Sequence, residues 1–222
     1  MPNTEKPFLP GAVIFDMDGL MLDTERPVID LWLRAAQNLG REMDRGTVLR
    51  TIGVDEKTTR GVFLEAYGKD FPYAEIREEL IRLIRDTMEK DGIAHRPGLL
   101  TLLNKLDALG VPFGVATSTD RETALLKLKQ AHIRDRFDII TCGDEVRHGK
   151  PAPDIFLLAA KRLGQEPASC IGFEDSIAGL QALAAAGIRS VFIKDVLEPP
   201  EEVLAAVWRR CNDLAEAAEL FG

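Results

Sequence analysis

The segment AVIFDMDG at residues 12–19 sets the architecture that the sequence predicts. Its first four residues, AVIF, are all apolar, which indicates a buried strand of a parallel sheet. Asp16 and Asp18 follow at once, so their carboxylates are expected where the strand leaves the sheet, the usual ligand position in open α/β folds. Gly19 permits a tight turn and a close approach to a ligand. Because two adjacent anions repel each other, the pair indicates a metal ion or a bound proton, although an aspartate after a strand is also a common turn residue.

The composition of the 222 residues is that of a globular protein, with 45% hydrophobic and 29% charged residues. A formal net charge of −8 disfavours a general nucleic-acid binder. Cys142, Cys170 and Cys211 are widely separated, which predicts no disulfide framework and indicates a reducing compartment. The three histidines lack the spacing of metal ligands. Neither a signal-peptide pattern nor a long apolar run is present, so we expect a cytoplasmic protein without a membrane span.

The chain changes character twice along its length. Helical patterns dominate residues 25–96, and no motif there indicates a particular ligand. From Pro97 onward helices alternate with strands, which are predicted at residues 111–116, 137–141, 169–173 and 190–193. This alternation predicts an α/β fold with a parallel sheet and helices on both faces, interrupted after its first strand by a helical insertion. The remainder of the chain is predicted to be helical packing or tail.

Polar residues follow several of the predicted strands. Parallel strands all end at the same edge of a sheet, so these residues are expected to converge. Four carboxylates, two hydroxyls and one lysine suit Mg²⁺ and a phosphate group, because magnesium prefers oxygen ligands and cations offset the charge of a phosphate dianion. The converging residues are Asp16, Asp18, Thr117, Ser118, Lys150, Glu174 and Asp175.

Each of these residues also has an ordinary structural interpretation. Thr117 and Ser118 could begin a helix, Lys150 could be a surface charge, and Asp175 could be only a helix N-cap. Their conjunction at successive strand ends favours the functional interpretation.

Four segments resemble the motifs of the haloacid dehalogenase superfamily, specifically its capped phosphatase and phosphomutase branch. They are FDMDGL at 15–20, ATS at 116–118, KPAPDIF at 150–156 and FEDS at 173–176. Residues 16–26 with HGK at 148–150 also resemble pseudouridine-5′-phosphate phosphatases. The resemblance, which covers nearly the whole chain, implies a Rossmann-like core at 1–21 and 96–222 with strand order 3-2-1-4-5. It also implies a helical cap at 22–95 that closes over the site.

The resemblance implies a role for each candidate residue. Asp16 is expected to attack phosphorus and become an aspartyl-phosphate, while Asp18 protonates the leaving alcohol and later activates water. Lys150 is expected to screen the charge between nucleophile and phosphate. The resemblance also implies that phosphate is bound by Thr117, Ser118 and Gly19, and Mg²⁺ by Asp16, the Asp18 carbonyl, Asp175 and Glu174, the last directly or through water.

The expected function is Mg²⁺-dependent hydrolysis of a small phosphate monoester, either a sugar phosphate or a nucleotide-like ester. The expected partner is a small phosphorylated metabolite, with no nucleic acid or membrane, and the chain is expected to be a monomer or weak dimer. A sugar phosphomutase of the β-phosphoglucomutase type is the main alternative. Those enzymes resemble this chain and carry a cap histidine where a gapless count places Val28, so hydrolysis is favoured.

Two further alternatives are weaker. A non-enzymatic receiver module combines similar aspartates, a hydroxyl residue and a lysine, but receivers are generally one small domain and lack a second aspartate acting as leaving-group acid. A haloacid dehalogenase lacks the counterpart of Asp18 and needs no Mg²⁺.

Overall fold

A computed structural model describes residues 9–52 and 56–221, and the chain divides into two compact units. The first unit contains the described residues up to Leu22 together with the chain from Ala94 onward, and the second is Asp23–Ile93. Residues 1–8 and 222 of the predicted core and 53–55 of the predicted cap lie outside the described residues. No described helix has both the length and the apolar character that crossing a bilayer would require.

Strands and helices follow one another in a simple order. They are β1 (Ala12–Phe15), α1 (Glu25–Asn38), α2 (Arg45–Leu49), α3 (Glu56–Tyr67), α4 (Tyr73–Asp91), α5 (Leu99–Leu109), β2 (Phe113–Ala116), α6 (Arg121–Gln130), β3 (Ile139–Thr141), α7 (Asp154–Arg162), β4 (Cys170–Glu174), α8 (Ile177–Ala185), β5 (Arg189–Ile193), α9 (Glu201–Leu204), β6 (Arg209–Cys211) and α10 (Leu214–Ala218).

In the described part of the first unit, six parallel strands form one sheet in the order β3-β2-β1-β4-β5-β6. The predicted Rossmann-like α/β fold is confirmed, and the first five strands have the predicted order. The sixth strand is a correction, because the chain after residue 193 is predicted to be helical packing or tail. Arg209 and Arg210 are exposed in this three-residue edge strand, so it shows no apolar pattern by which to recognise it.

Alternate residues of the central strand fill the two faces of the sheet. Ala12 and Ile14 belong to a buried cluster with apolar residues of α7 and α8. Phe15 stacks on Phe173 of β4 with ring centroids 5.2 Å apart, and Phe173 in turn contacts Phe221 beyond α10. All four residues of β1 are buried, so the strand that carries the two aspartates is fixed from both sides.

In the described residues of the second unit, the regular secondary structure consists of the four helices α1–α4, joined by loops. α1 packs against α4, and an aromatic cluster joins Trp32, Phe63 and Tyr73. The opposite face of α4 is charged: Arg82 pairs at 2.7 Å with Asp86, both about half exposed, and with Glu79, whose side chain is 17% exposed. An exposed pair such as that with Asp86 contributes little to stability, which fits a solvated face.

Candidate active site

The sheet register brings the ends of three strands side by side. Phe15 lies opposite Val115 on β2 and Phe173 on β4, and the Asp16 N–H donates to the Phe173 carbonyl at 3.0 Å. The residues after Phe15, Val115 and Phe173 therefore emerge together at the carboxyl edge of the sheet. This places Asp16 in the middle of the edge.

Lys150 joins two carboxylates at this edge. Its Nζ lies 2.5 Å from Asp16 Oδ1 and 2.5 Å from Glu174 Oε1. The three side chains are 6%, 10% and 0% exposed, respectively, and the Lys150 ammonium also lies 4.8 Å from the centroid of the Phe156 ring. The loop after β3 therefore returns to the sheet, where the lysine charge is compensated inside the protein.

The second carboxylate oxygen of Glu174 holds the start of α8. Oε2 accepts hydrogen bonds from the N–H groups of Asp175 and Ser176 at 2.9 Å and from the Ser176 hydroxyl at 3.0 Å. Ser176 is the N-cap of α8, because its hydroxyl accepts from the Gly179 N–H at 3.1 Å. Asp175 is therefore not the N-cap, and its carboxylate stays at the sheet edge.

Gly179 in the first turn of α8 leaves room for this arrangement, since a Cβ there would overlap the Glu174 carboxylate. We expect Gly179→Ala to lower the free energy of unfolding by about 1–3 kcal/mol through overpacking, although alanine favours a helix by about 1 kcal/mol. Urea denaturation measures the change. Gly61→Ala is the matched control, because Gly61 lies in α3 with open space around it and should gain or keep stability. Equal stabilisation of both variants would contradict the packing argument.

The electrostatics of the cluster show an excess of negative charge. Burial raises the pKa of Asp16 to about 8; Lys150 opposes this rise, while the nearby Glu174 and Asp18 carboxylates add to it. For Lys150 burial disfavours the charged form, but Asp16 and Glu174 outweigh it and hold the pKa above its ordinary value. One ammonium group is therefore too little positive charge for this set of carboxylates.

A divalent metal ion fits this donor set. Oxygen atoms of Asp16, Glu174 and Asp175 lie within 4.8 Å of one another, and all three residues are buried. Hard cations take carboxylate oxygens as ligands, and a buried cation would relieve the raised pKa of Asp16. The cluster at the carboxyl edge of the sheet can therefore hold the metal that the motif resemblance implies.

Asp18 turns away from this cluster toward α6. Its Oδ1 lies 2.7 Å from the Lys127 Nζ, and its Oδ2 accepts a hydrogen bond from the Thr119 hydroxyl at 2.8 Å. The sequence motifs predict no role for Thr119 or Lys127. Thr119 directly follows the ATS motif, so its position was a signal, whereas nothing in the spacing of α6 marks Lys127.

Thr117 and Ser118 lie at the end of β2, beside Asp16. The Thr117 N–H donates to the Thr141 carbonyl at 3.0 Å, and the Thr117 hydroxyl accepts from the Thr119 N–H at 3.1 Å. α6 begins later, with Asp120 as its N-cap, so neither residue begins the helix. In the part of the chain that the structure describes, the Lys150 ammonium donates to Asp16 and Glu174 and not to Thr117 or Ser118.

Gly143 and Gly19 permit close approaches at the same edge. A Cβ on Gly143 would overlap the Ser118 carbonyl oxygen, so the turn after β3 packs against the turn after β2. Gly19 has a φ of +82°, and a Cβ there would overlap the Asp175 carboxylate. The structure thus places Gly19 directly beside Asp175.

Ligands of open α/β sheets bind at the carboxyl ends of the strands, and phosphoryl transfer depends on positioned groups that stabilise its negative charge, so a lysine and several buried carboxylates at this edge suit phosphoryl transfer. The family model of the haloacid dehalogenase-like hydrolases matches residues 10–187 of the sequence. The chain therefore belongs to this family.

Two curated relatives and one solved structure illustrate the range of similar proteins. A phosphorylated carbohydrates phosphatase of Thermotoga maritima is 31% identical over 186 residues, which cover 82% of this chain and 83% of the relative. A probable pseudouridine-5′-phosphatase of Drosophila melanogaster is 32% identical, with 82% of this chain and 80% of the relative covered. The structure of a putative β-phosphoglucomutase from Thermotoga maritima is 27% identical, with a TM-score of 0.80. The match covers 94% of this chain and 97% of that one. The chain is accordingly a phosphoric monoester hydrolase of this family.

Proposed function

We propose that this protein hydrolyses a small phosphate monoester, a sugar phosphate or a nucleotide-like ester, with Mg²⁺ and through an aspartyl-phosphate on Asp16. The observation that carries the proposal is the buried contact of Asp16 with Lys150, beside Glu174 and Asp175. The similarity to phosphatases acting on phosphorylated carbohydrates and pseudouridine-5′-phosphate supports the substrate class. We assign residues 22–95 as the cap of this enzyme.

In the first half-reaction an Asp16 carboxylate oxygen forms a bond to phosphorus. The bond from phosphorus to the ester oxygen breaks, its electron pair stays on that oxygen, and the oxygen takes a proton from the Asp18 carboxyl group. Lys150 holds Asp16 and balances its negative charge as the phosphoryl group approaches. Thr117, Ser118 and Gly19 bind the phosphoryl oxygens, where charge spreads in the transition state.

In the second half-reaction water attacks the phosphorus of the aspartyl-phosphate. Its proton passes to the Asp18 carboxylate, and the bond between phosphorus and Asp16 breaks with its electron pair returning to the carboxylate. Inorganic phosphate leaves, and both aspartates recover their starting protonation states. The two roles of Asp18 therefore balance over one turnover.

Asp16, Asp175 and the Asp18 main-chain carbonyl would hold Mg²⁺, which would offset the negative charge of the phosphate when bound. Glu174 would support the bound ion through water, since Lys150 already contacts one of its oxygens and the start of α8 donates to the other. Its structural role is to orient Lys150 and the loop that carries Asp175.

The phosphomutase alternative requires a group that favours a sugar hydroxyl over water as the acceptor. Val28, at the position of the mutase cap histidine in a gapless count, lies half-buried in α1 and has no hydrogen-bonding side chain. This favours hydrolysis.

The test of the proposed function is a turnover screen against sugar phosphates, nucleotides and small phosphate esters with Mg²⁺, measuring release of inorganic phosphate. A separate reaction contains β-glucose 1-phosphate and a trace of β-glucose 1,6-bisphosphate. We expect phosphate release from at least one ester without efficient formation of glucose 6-phosphate. Rapid isomerisation with negligible phosphate release would instead support the mutase, and absence of turnover in all reactions would contradict both.

Removal of the metal should abolish this turnover, and Mg²⁺ should restore it. Asp175→Ala is expected to weaken Mg²⁺ binding by at least about 10-fold, because it removes a proposed carboxylate ligand. Calorimetric titration of the apoprotein measures the affinity directly. Asp138→Ala is the matched control, since this exposed aspartate precedes β3 at the opposite edge of the sheet. Full activity after thorough chelation, or equal affinity of the two variants, would defeat the assignment.

A further inference from the structure

Two donors from the segment after β2 hold both oxygens of the Asp18 carboxylate. Lys127 Nζ forms an ion pair with Oδ1 at 2.7 Å, and the Thr119 hydroxyl donates to Oδ2 at 2.8 Å. The side chains of Lys127 and Asp18 are 20% and 26% exposed, so this contact is partly shielded from water. Two contacts on separate oxygens restrict rotation of the carboxylate more than either contact alone.

The position of Lys127 is fixed by the helix that carries it. α6 begins at the Asp120 cap, whose carboxylate accepts from the Thr123 N–H at 3.0 Å. Ala124 and Leu128 are fully buried on the inner side of α6 and anchor it to the rest of the first unit. Lys127 precedes Leu128 and reaches Asp18 from this anchored helix. Lys129, two residues further, is exposed and offers a natural comparison.

An ion pair on an open surface contributes only about 0–1 kcal/mol to stability. The contact with Lys127 differs because it joins a partly buried lysine to a carboxylate proposed to exchange protons with the substrate and with water. Small displacements of such groups reduce rates by up to about 100-fold. Fixing the carboxylate direction before substrate binds also avoids an ordering cost during reaction.

We propose that Lys127 is a positioning residue for Asp18, which together with Thr119 fixes the carboxylate in the direction that its acid–base work requires. The inference rests on the proposed function, in which Asp18 protonates the leaving group and activates water. Lys127 acts through Asp18 and needs no contact with substrate. Its removal should therefore lower kcat without weakening substrate binding.

Lys127→Met removes the charge and keeps the length of the side chain, and Lys129→Met removes the same charge from the same helix without touching Asp18. Both are compared with wild type on p-nitrophenyl phosphate by stopped-flow absorbance. p-Nitrophenolate leaves readily without a proton, so phosphorylation of Asp16 should remain fast while hydrolysis of the aspartyl-phosphate slows. We expect Lys127→Met to lose about 10–100-fold in kcat with a proportional fall in KM, so that kcat/KM stays within about twofold, and to show a burst of p-nitrophenol near one per enzyme.

Three further variants separate positioning from loss of structure. Lys127→Arg should recover part of kcat, and Thr119→Val should lower kcat in the same sense with an unchanged melting temperature. In an Asp18→Asn background, Lys127→Met should change kcat less than about twofold, because a residue that acts through Asp18 has nothing left to position.

The outcomes distinguish this inference from the proposed function. Wild-type protein without phosphatase turnover would contradict the proposed function itself. An active wild type whose Lys127→Met kcat lies within about twofold of Lys129→Met would overturn the inference alone. The inference would also be overturned if Lys127→Met lowered kcat as much in the Asp18→Asn background as in wild type. A rise in KM with unchanged kcat would overturn it too, because it would place Lys127 against the substrate.

Discussion

Replacement of Asp16 by asparagine is expected to lower turnover by about 10⁴-fold or more while the fold stays intact. The amide occupies nearly the same volume but is too weak a nucleophile to form the acyl-phosphate bond. Asp16 lies at the end of a fully buried strand and donates its main-chain N–H to Phe173, and the substitution leaves that hydrogen bond in place. Phosphate release from the best ester of the panel measures the loss.

The control must separate loss of the nucleophile from loss of charge or structure. Asp138→Asn makes the same chemical change at an exposed position before β3 and should retain wild-type turnover. Thermal unfolding should show that Asp16→Asn remains folded, with Lys150 still compensated by Glu174. Wild-type-like activity of the pure asparagine variant, with deamidation to aspartate excluded by mass spectrometry, would remove Asp16 from the role of nucleophile.

Hydrophobic patterns predicted the sheet well because its strands are buried. β1 and β4 are buried along their whole length, so their sequences are continuously apolar up to the residue where function begins. β6 was missed for the opposite reason: it lies at the edge, and its first two residues are exposed arginines. Its place in the sheet depends on pairing with β5, a long-range contact that local periodicity does not encode.

The site residues that lie at the carboxyl ends of strands could be predicted from the sequence. Asp16, Glu174 and Asp175 are brought together by the sheet register, which the alternation of strands and helices already implied. The side-chain partners of these residues are harder to predict from the sequence. Lys127 is one of several charged residues on α6, and only the packing of that helix selects it over Lys129 as the partner of Asp18.

Asp18→Asn is expected to lower turnover by about 10²–10⁴-fold while phosphate and Mg²⁺ still bind. The substitution removes proton transfer but leaves the main-chain carbonyl of residue 18 available to the metal. The amide offers one acceptor oxygen where the carboxylate offers two, so either Lys127 or Thr119 loses its present contact. Steady-state kcat, inhibition by inorganic phosphate and calorimetric Mg²⁺ affinity together measure these effects.

The choice of substrate sharpens this prediction, because the two half-reactions need Asp18 to different degrees. An alkyl phosphate requires a proton for its leaving oxygen, so Asp18→Asn should slow phosphorylation and hydrolysis alike, and no phosphoenzyme should accumulate. p-Nitrophenyl phosphate needs no such proton, so the same variant should release about one equivalent of p-nitrophenol rapidly and then stall as the aspartyl-phosphate. If weakened Mg²⁺ binding or slow phosphate release accounts for the entire loss with both esters, Asp18 is not the acid and base.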